Sequence, residues 1–596
     1  MRTCCNPAKV RTLHWLSLVC LFPCSVMGSV TACGSPAEPI APTEVAVPEP
    51  PSVAAHVRGQ LLGHDGKPIP FAQVHVTVVG GTPNVIPVAS DGSFTIDLPK
   101  PEWVTLRMTG VAHQEHSIRF LVESGEQALS VRLGTYKRPD ALESLTGFGR
   151  FDGEGKRVNL TFTQREDGRW VTKVERGETH GAAKEFHYQL ATATSVGRTI
   201  NGTQADRYEY DGGGDYFSVV TLPEQGALEL VYDPTAMPPA GATREVSFAD
   251  PASMMAKTAT LAQQISTWRV DSREAAVKKK QSTPSANLGE LFDEANVELR
   301  DRYLQAAEAE PDPVLRSMLW VAWGSTLEID PTPEDRSKWG PQAQAMIQAI
   351  GPRDPVWAME EWAMAQVLAH VDEPQYFTIA AAEHPDASVG VALWLAVLIR
   401  ADKAGDLERA SEAKTALTSP RFAEVEMIAL AKMYDPERPT APGRTVPDFR
   451  VRSSDGKTEL SAASLRGKTY VLDFWATWCG PCIAEMPRLH AAYAQLNGQA
   501  PLEDRKYRAV AEPKLELISI SFDHDPKLVE KFRKEQWPMP WAHAVPDEAT
   551  HKQLNEVFGI VGIPTMVLVG PDGVILASSP RLDGGNLGEI AAAHLK

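Results

Sequence analysis

Two cysteines, Cys479 and Cys482, stand three positions apart in the stretch Phe474-Trp475-Ala476-Thr477-Trp478-Cys479-Gly480-Pro481-Cys482. Thiols at that spacing can close and open a disulfide, and the attacking species in such exchange is the thiolate. The residues on either side decide whether thiolate can form. Thr469-Tyr470-Val471-Leu472-Asp473-Phe474 is β-branched and aromatic and reads as a buried strand. From Pro481 to about Leu496, Ile483, Met486, Leu489 and Tyr493 recur at helical steps. The cysteines therefore fall where a strand ends and a helix begins. Unpaired N–H groups and the positive helix end lower a thiol pKa there. Pro481 suits an early helical position, where no N–H is needed. On one face of the first turn, Cys479 can attack a partner disulfide and Cys482 can resolve the mixed disulfide. Two other readings stand beside this one. An inert staple closing a loop of about four residues contributes only about 2 kcal/mol. Half a zinc site wants a second ligand pair, and the chain has no second Cys pair near this one.

Two carboxylates flank the dithiol. Asp473 sits between Leu472 and Phe474-Trp475; desolvation there raises a carboxyl pKa and lets it exchange protons near neutrality. Its alternative is an acid on a wet strand face. Glu485 is either a group that tunes the dithiol or a solvated acid near the helix start.

Residues 443–596 resemble the thioredoxin fold, and within it the TlpA/ResA-like membrane-anchored thiol-disulfide oxidoreductases. The resemblance rests on Trp478-Cys479-Gly480-Pro481-Cys482, Asp473, Glu485, Pro487 and Gly562-Ile563-Pro564-Thr565. It implies a redox-active disulfide between Cys479 and Cys482. It gives Asp473 the place of a buried acid beneath the site and Glu485 that of a carboxylate near the dithiol. It makes Pro487 the kink of the active-site helix and Ile563-Pro564 a cis bond facing the dithiol. Trp478, Gly480, Pro481, Ile563 and Pro564 would then meet the substrate backbone.

The 596 residues carry a net charge of −17, which argues against nucleic acid, since binding phosphate needs clustered Lys and Arg. No internal apolar run is long enough for an ordinary transmembrane helix. Five of the seven cysteines lie in the first 33 residues, so the body is not a disulfide scaffold.

Residues 1–32 read as an export signal: Arg2, Lys9 and Arg11, then an apolar core from Leu13 to Phe22. Val30-Thr31-Ala32-Cys33 resembles a bacterial lipobox. That implies lipid attachment at Cys33 and a place in the bacterial envelope facing the periplasm; Gly34 points to the outer membrane. An ordinary secretory cleavage site is the alternative. Residues 33–52 form a Pro-rich tether.

Residues 53–137 alternate as strands, with turns at Asp65-Gly66-Lys67-Pro68 and Asp91-Gly92. They resemble the carboxypeptidase regulatory-like, transthyretin-like β-sandwich, which implies a structural or binding role. His64, His75, His113 and His116 are read as structural rather than metal ligands, with His113 and His116 on opposite faces of a strand. Residues 140–250 are again β-rich, of no family identified. A helix is expected from Ala256 to Trp268, and Lys278 to Ser285 as a linker. Residues 286–435 take helical period, similar to tetratricopeptide-like hairpins, with Trp320, Trp323, Trp357, Trp362 and Trp394 as core. Residues 436–442 read as a last linker. In the C-terminal stretch, Val446 to Phe449 is expected to open a strand pair, and a last helix to run from Leu587 to Leu595.

The expected architecture is thus multidomain: N-terminal β-sandwich domains, a central α-helical hairpin region and a C-terminal α/β thioredoxin fold. The expected activity is disulfide exchange with protein substrates, without cofactor or metal. The resemblance favours a reductase supplied with electrons by a membrane protein, with apocytochrome c as one candidate substrate. Two rivals are a thiol peroxidase, whose fold relatives use a Pro-x-x-x-Thr-x-x-Cys context absent here, and an envelope scaffold whose redox domain is accessory.

Overall fold

The computed structural model describes residues 55–135, 142, 144–152, 157–175, 183–192, 199–236, 241–283, 288–499, 510 and 512–595. The signal, the tether and Cys33 lie outside them. The contact pattern divides the chain into two units, one up to Trp320 and the other from Val321 to Lys596.

In the first unit two four-stranded sheets close on one core, with Val57, Leu61 and Val131 from one sheet meeting Val104, Leu106 and Phe120 from the other. The strand Glu245–Phe248, expected with the second β-rich stretch, instead pairs antiparallel with Gly125–Arg132 and completes the first sheet. Its Val246 and Phe248 pack against the first core, which decides where it lies. The intervening residues build a separate core around Phe186, Tyr188, Leu230 and Tyr232. The helix expected over Ala256 to Trp268 runs much further, Met254–Ser282, through most of the supposed linker. It pairs antiparallel with Leu288–Ala309: Ser272 Oγ donates to the Ala295 carbonyl at 2.9 Å, and Tyr303 Oη to that of Ile265 at 3.1 Å. That neighbour sustains a charged tail with little apolar period of its own. His113 and His116 are both buried, and His113 precedes the strand His116–Val122 rather than sharing it. Among the described residues no group of three or more His, Cys, Asp or Glu is placed to hold a metal. None of the described helices is long and apolar enough to cross a membrane.

In the second unit the helices are unequal, from the four-residue Ala431–Tyr434 to the 18-residue Ala387–Ala404, with 3₁₀ turns between them. Of the tryptophans expected as core, Trp323 and Trp357 are buried, whereas Trp320, Trp362 and Trp394 are half-buried; Trp339, not singled out in the sequence, is buried as well. The segment read as the last linker is partly buried: Arg438, Thr440 and Ala441 are buried while Glu437 and Pro442 are exposed. Its Pro-rich composition hides the reason, an ion pair 2.8 Å long from Arg438 to Asp402.

The C-terminal domain holds strands β1 (Arg450–Arg452), β2 (Glu459–Ser461), β3 (Tyr470–Trp475), β4 (Glu516–Ser521), β5 (Ala542–Ala544), β6 (Thr565–Val569) and β7 (Ile575–Ser578). Its helices are α1 (Gly480–Leu496), α2 (Pro526–Glu535), α3 (Glu548–Phe558) and α4 (Leu587–Ala592). The opening strand starts at Arg450, not Val446, because Val446 N–H is spent on the Gly573 carbonyl and Pro447 has no N–H. The last helix stops at Ala592, short of Leu595.

Five strands form the main sheet in the order β5-β4-β3-β6-β7, with β3 central, parallel to β4 and antiparallel to β6. Every residue of β3 is buried because helices cover both faces. Val471 and Trp475 point into the core shared with α1, α2 and α4; Tyr470, Leu472 and Phe474 point into that shared with α3. Alternation therefore sends Asp473 to the α1 side.

Candidate active site

Chain direction places the dithiol. β3 ends at Trp475, and Cys479 is the N-cap of α1, its Sγ accepting the Cys482 N–H at 3.2 Å. The intervening turn is pinned by Asp523, which accepts the Thr477 N–H at 2.8 Å and the Thr477 hydroxyl at 2.6 Å. Cys479 and Cys482 are joined as a disulfide. They are 5% and 2% exposed, while Trp478 beside them is 48% exposed and Gly480 is open, so the approach to sulfur runs along that rim. Pro481 lies in the first turn and Pro487 within α1.

The loop before β6 closes over the sulfurs. Ile563-Pro564 is a cis bond, and the Ile563 carbonyl lies 3.6 Å from Cys479 Sγ. A disulfide sulfur has no proton to give, so that contact becomes a hydrogen bond only in the thiol form. Pro564 itself is buried and Ile563 half-buried.

Asp473 is 2% exposed and lies in the interior, not on a wet face. Burial pushes its pKa up to about 7, partly opposed by a 2.7 Å hydrogen bond from the Ser519 hydroxyl. Asp473 and Ser519 are partners in the β3–β4 register, and Trp541 Nε1–H donates in turn to Ser519 Oγ at 2.9 Å. Glu485 is also interior rather than solvated, 5% exposed. Burial raises its pKa to about 7; the Gly584 N–H, 2.5 Å from Oε1, pulls against that and the Asp473 carboxyl adds to it. Lying three residues after Cys482, Glu485 shares its helix face. Two carboxyls thus titrate near neutrality around one disulfide, on the side of β3 that faces α1. The site also recruits Ser519, Trp541, Asp523 and Gly584, which nothing in the local sequence marks.

This is the geometry against which the known proteins compare. Residues 467–575 match a family model described as thioredoxin-like. The C-terminal domain is thioredoxin-like. The chain is 35% identical over 132 residues to probable nucleoredoxin 3 of Oryza sativa subsp. japonica, covering 22% of this chain and 25% of that protein. It is 26% identical over 159 residues to the thiol-disulfide oxidoreductase ResA of Oceanobacillus iheyensis, covering 26% of this chain and 72% of that protein. The thioredoxin domain of a thiol-disulfide oxidoreductase from Bacteroides vulgatus aligns at 24% identity over 26% of this chain and 99% of its own, with a TM-score of 0.22. The chain spans only a quarter of the rice relative.

Proposed function

We propose that the protein is a thiol-disulfide oxidoreductase acting on protein disulfides, and that it works as a reductase. The observation that carries this is the joined Cys479–Cys482 pair at a helix N-terminus, with Asp473 and Glu485 buried beside it at pKa values of about 7.

In the reduced protein, the Cys479 thiolate is held by the Cys482 N–H and the helix end. It attacks one sulfur of a substrate disulfide. A Cys479–substrate bond forms, the substrate S–S bond breaks, and the first substrate sulfur leaves as thiolate and takes a proton. Asp473 accepts the Cys482 proton, and the Cys482 thiolate attacks Cys479 Sγ. The internal disulfide forms and the second substrate thiol departs. Two electrons pass from the dithiol to the substrate. A dithiol donor outside this chain must reverse the internal disulfide before the next turnover. Glu485, near Cys482 on α1, tunes the energy of thiolate formation. Trp478, Gly480, Pro481, Ile563 and Pro564 form the rim on which substrate backbone lies.

The protein works anchored in the bacterial envelope through lipidated Cys33, facing the periplasm, with a membrane protein as electron donor and extracytoplasmic disulfides as substrates. Apocytochrome c is one such substrate.

Three experiments test these readings. Cys482→Ser should accumulate mixed disulfides on Cys479, visible as higher-mass bands on a non-reducing gel. Cys479→Ser should abolish insulin disulfide reduction. No trapped species, with exchange retained in Cys479→Ser, would remove the assignment. Cys33→Ala should move the protein from the membrane to the soluble fraction; unchanged fractionation would remove the anchor.

A further inference from the structure

The helices between Val321 and Tyr434 carry none of the residues of the exchange chemistry, yet they share a compact unit with the redox domain. One buried carboxylate joins the two. Asp402, on the Ala387–Ala404 helix, accepts from Arg438 Nη1 at 2.8 Å and from Arg581 Nε at 2.6 Å. Arg581 opens the short loop after β7 and the cis Ser579-Pro580 bond. Asn586 Nδ2 donates to the Arg581 carbonyl at 2.8 Å, Asp583 and Asn586 exchange backbone-to-side-chain bonds, and Ser579 Oγ donates to the Leu582 carbonyl. These bonds tie the loop into one piece. Gly584 makes its closest backbone approach to α1: a Cβ there would lie 2.9 Å from Glu485 Cγ and 3.0 Å from Leu489 N, while Leu582 of the same loop enters the core with Met486 and Leu489. At that approach its N–H reaches Glu485 Oε1.

We propose that Asp402 is a positioning residue of the redox site: held by Arg438, it grips Arg581 and so seats the Arg581–Asn586 loop on α1, with Gly584 N–H on Glu485. The helical region then sets the protonation of a group beside the dithiol without touching sulfur. This inference rests on the exchange reading above.

The test is Arg581→Gln in the full chain. Asp402 keeps Arg438, and the Arg581 side chain is 30% exposed, so the fold tolerates the change better than it would loss of Asp402. The readout is the iodoacetamide alkylation rate of Cys479 against pH, followed on its peptide by mass spectrometry. The Gly584 N–H lowers the proton affinity of Glu485, so loosening the loop should move the Glu485 inflection upward by about one pH unit, tenfold in affinity. In a Glu485→Gln background the same substitution should move nothing. An unmoved inflection accompanied by a lower melting temperature, a displacement that persists without Glu485, or a wild-type profile that Glu485→Gln leaves unchanged each overturns the proposal. A wild-type dithiol that alkylates but never exchanges with protein disulfides would instead remove the functional reading.

Discussion

At the scale of residues, Asp473 carries the sharpest consequence. Its pKa is 3.8 in an ordinary setting and about 7 when folded. Below about pH 4 both states hold the proton. Between about pH 4 and 7 the unfolded chain releases it while the folded chain keeps it, so folding binds protons and stability falls as pH rises. Above about pH 7 the loss is complete, on the order of 4 kcal/mol. Asp473→Asn keeps an acceptor for Ser519 and removes the titration. In urea denaturation of the oxidised protein, the variant should gain on wild type between about pH 5 and 8, by at least 1.5 kcal/mol on this order of magnitude. An equal difference at both pH values would show that Asp473 does not titrate in that window. The dithiol and Asp473 were legible because each is marked by its immediate neighbours: a Cys pair at helical spacing, an acid inside an apolar run. Glu485 was reached through the family resemblance, since its neighbours in the helix left a solvated acid equally open. Ser519, Trp541, Asp523 and Gly584 were not legible. They meet the site only through the β3–β4 register and the loop after β7, and a serine in a strand looks the same whether it faces a buried acid or water.

At the scale of elements, the strands around the site were legible because burial on both faces leaves a largely apolar run, broken in β3 by Asp473 and in β4 by Ser519. The N-terminus of α1 was legible to within one residue because a Pro in the first turn and a polarisable cap mark it. Where neighbours rather than local pattern decide, the reading failed. The helix Met254–Ser282 continues past Trp268 as Arg269 to Gln281, a charged stretch that a neighbouring helix supports. Residues 436–442 look like a linker by composition but are tied down at Arg438 by a charge pair: Arg438 and Asp402 lie 36 positions apart, and no local window links them. The same limit hid the Asp402–Arg581 bond, across 179 positions. Isolated pairs of this kind stabilise little when exposed, but losing one partner of a buried pair costs about 3–5 kcal/mol. The Arg438–Asp402 pair is buried on both sides, so this apparent linker is a structural element of the second unit.

At the scale of the molecule, the order of modules along the chain is not the order in which they fold together. The first sandwich takes its last strand from Glu245–Phe248, after a whole intervening β-rich stretch. It is then covered by the start of the Met254–Ser282 helix, where Met255 and Ala259 enter its core and Thr258 Oγ1 accepts the Leu121 N–H at 3.0 Å. Sequence alternation showed where strands begin and end, but it does not say which sheet a strand joins. A domain of some 80 residues has only about 4–12 kcal/mol of stability, and losing one buried Met side chain costs about 2–5 kcal/mol. A fragment of residues 53–137 lacks that methionine, the edge strand and the helical cover together, so its deficit is comparable to its whole stability. It should therefore show no cooperative thermal transition by circular dichroism, whereas residues 53–309 should melt cooperatively. If the short fragment melts at the same temperature as the long one, the returning strand and helix are decoration on a sandwich that is already complete.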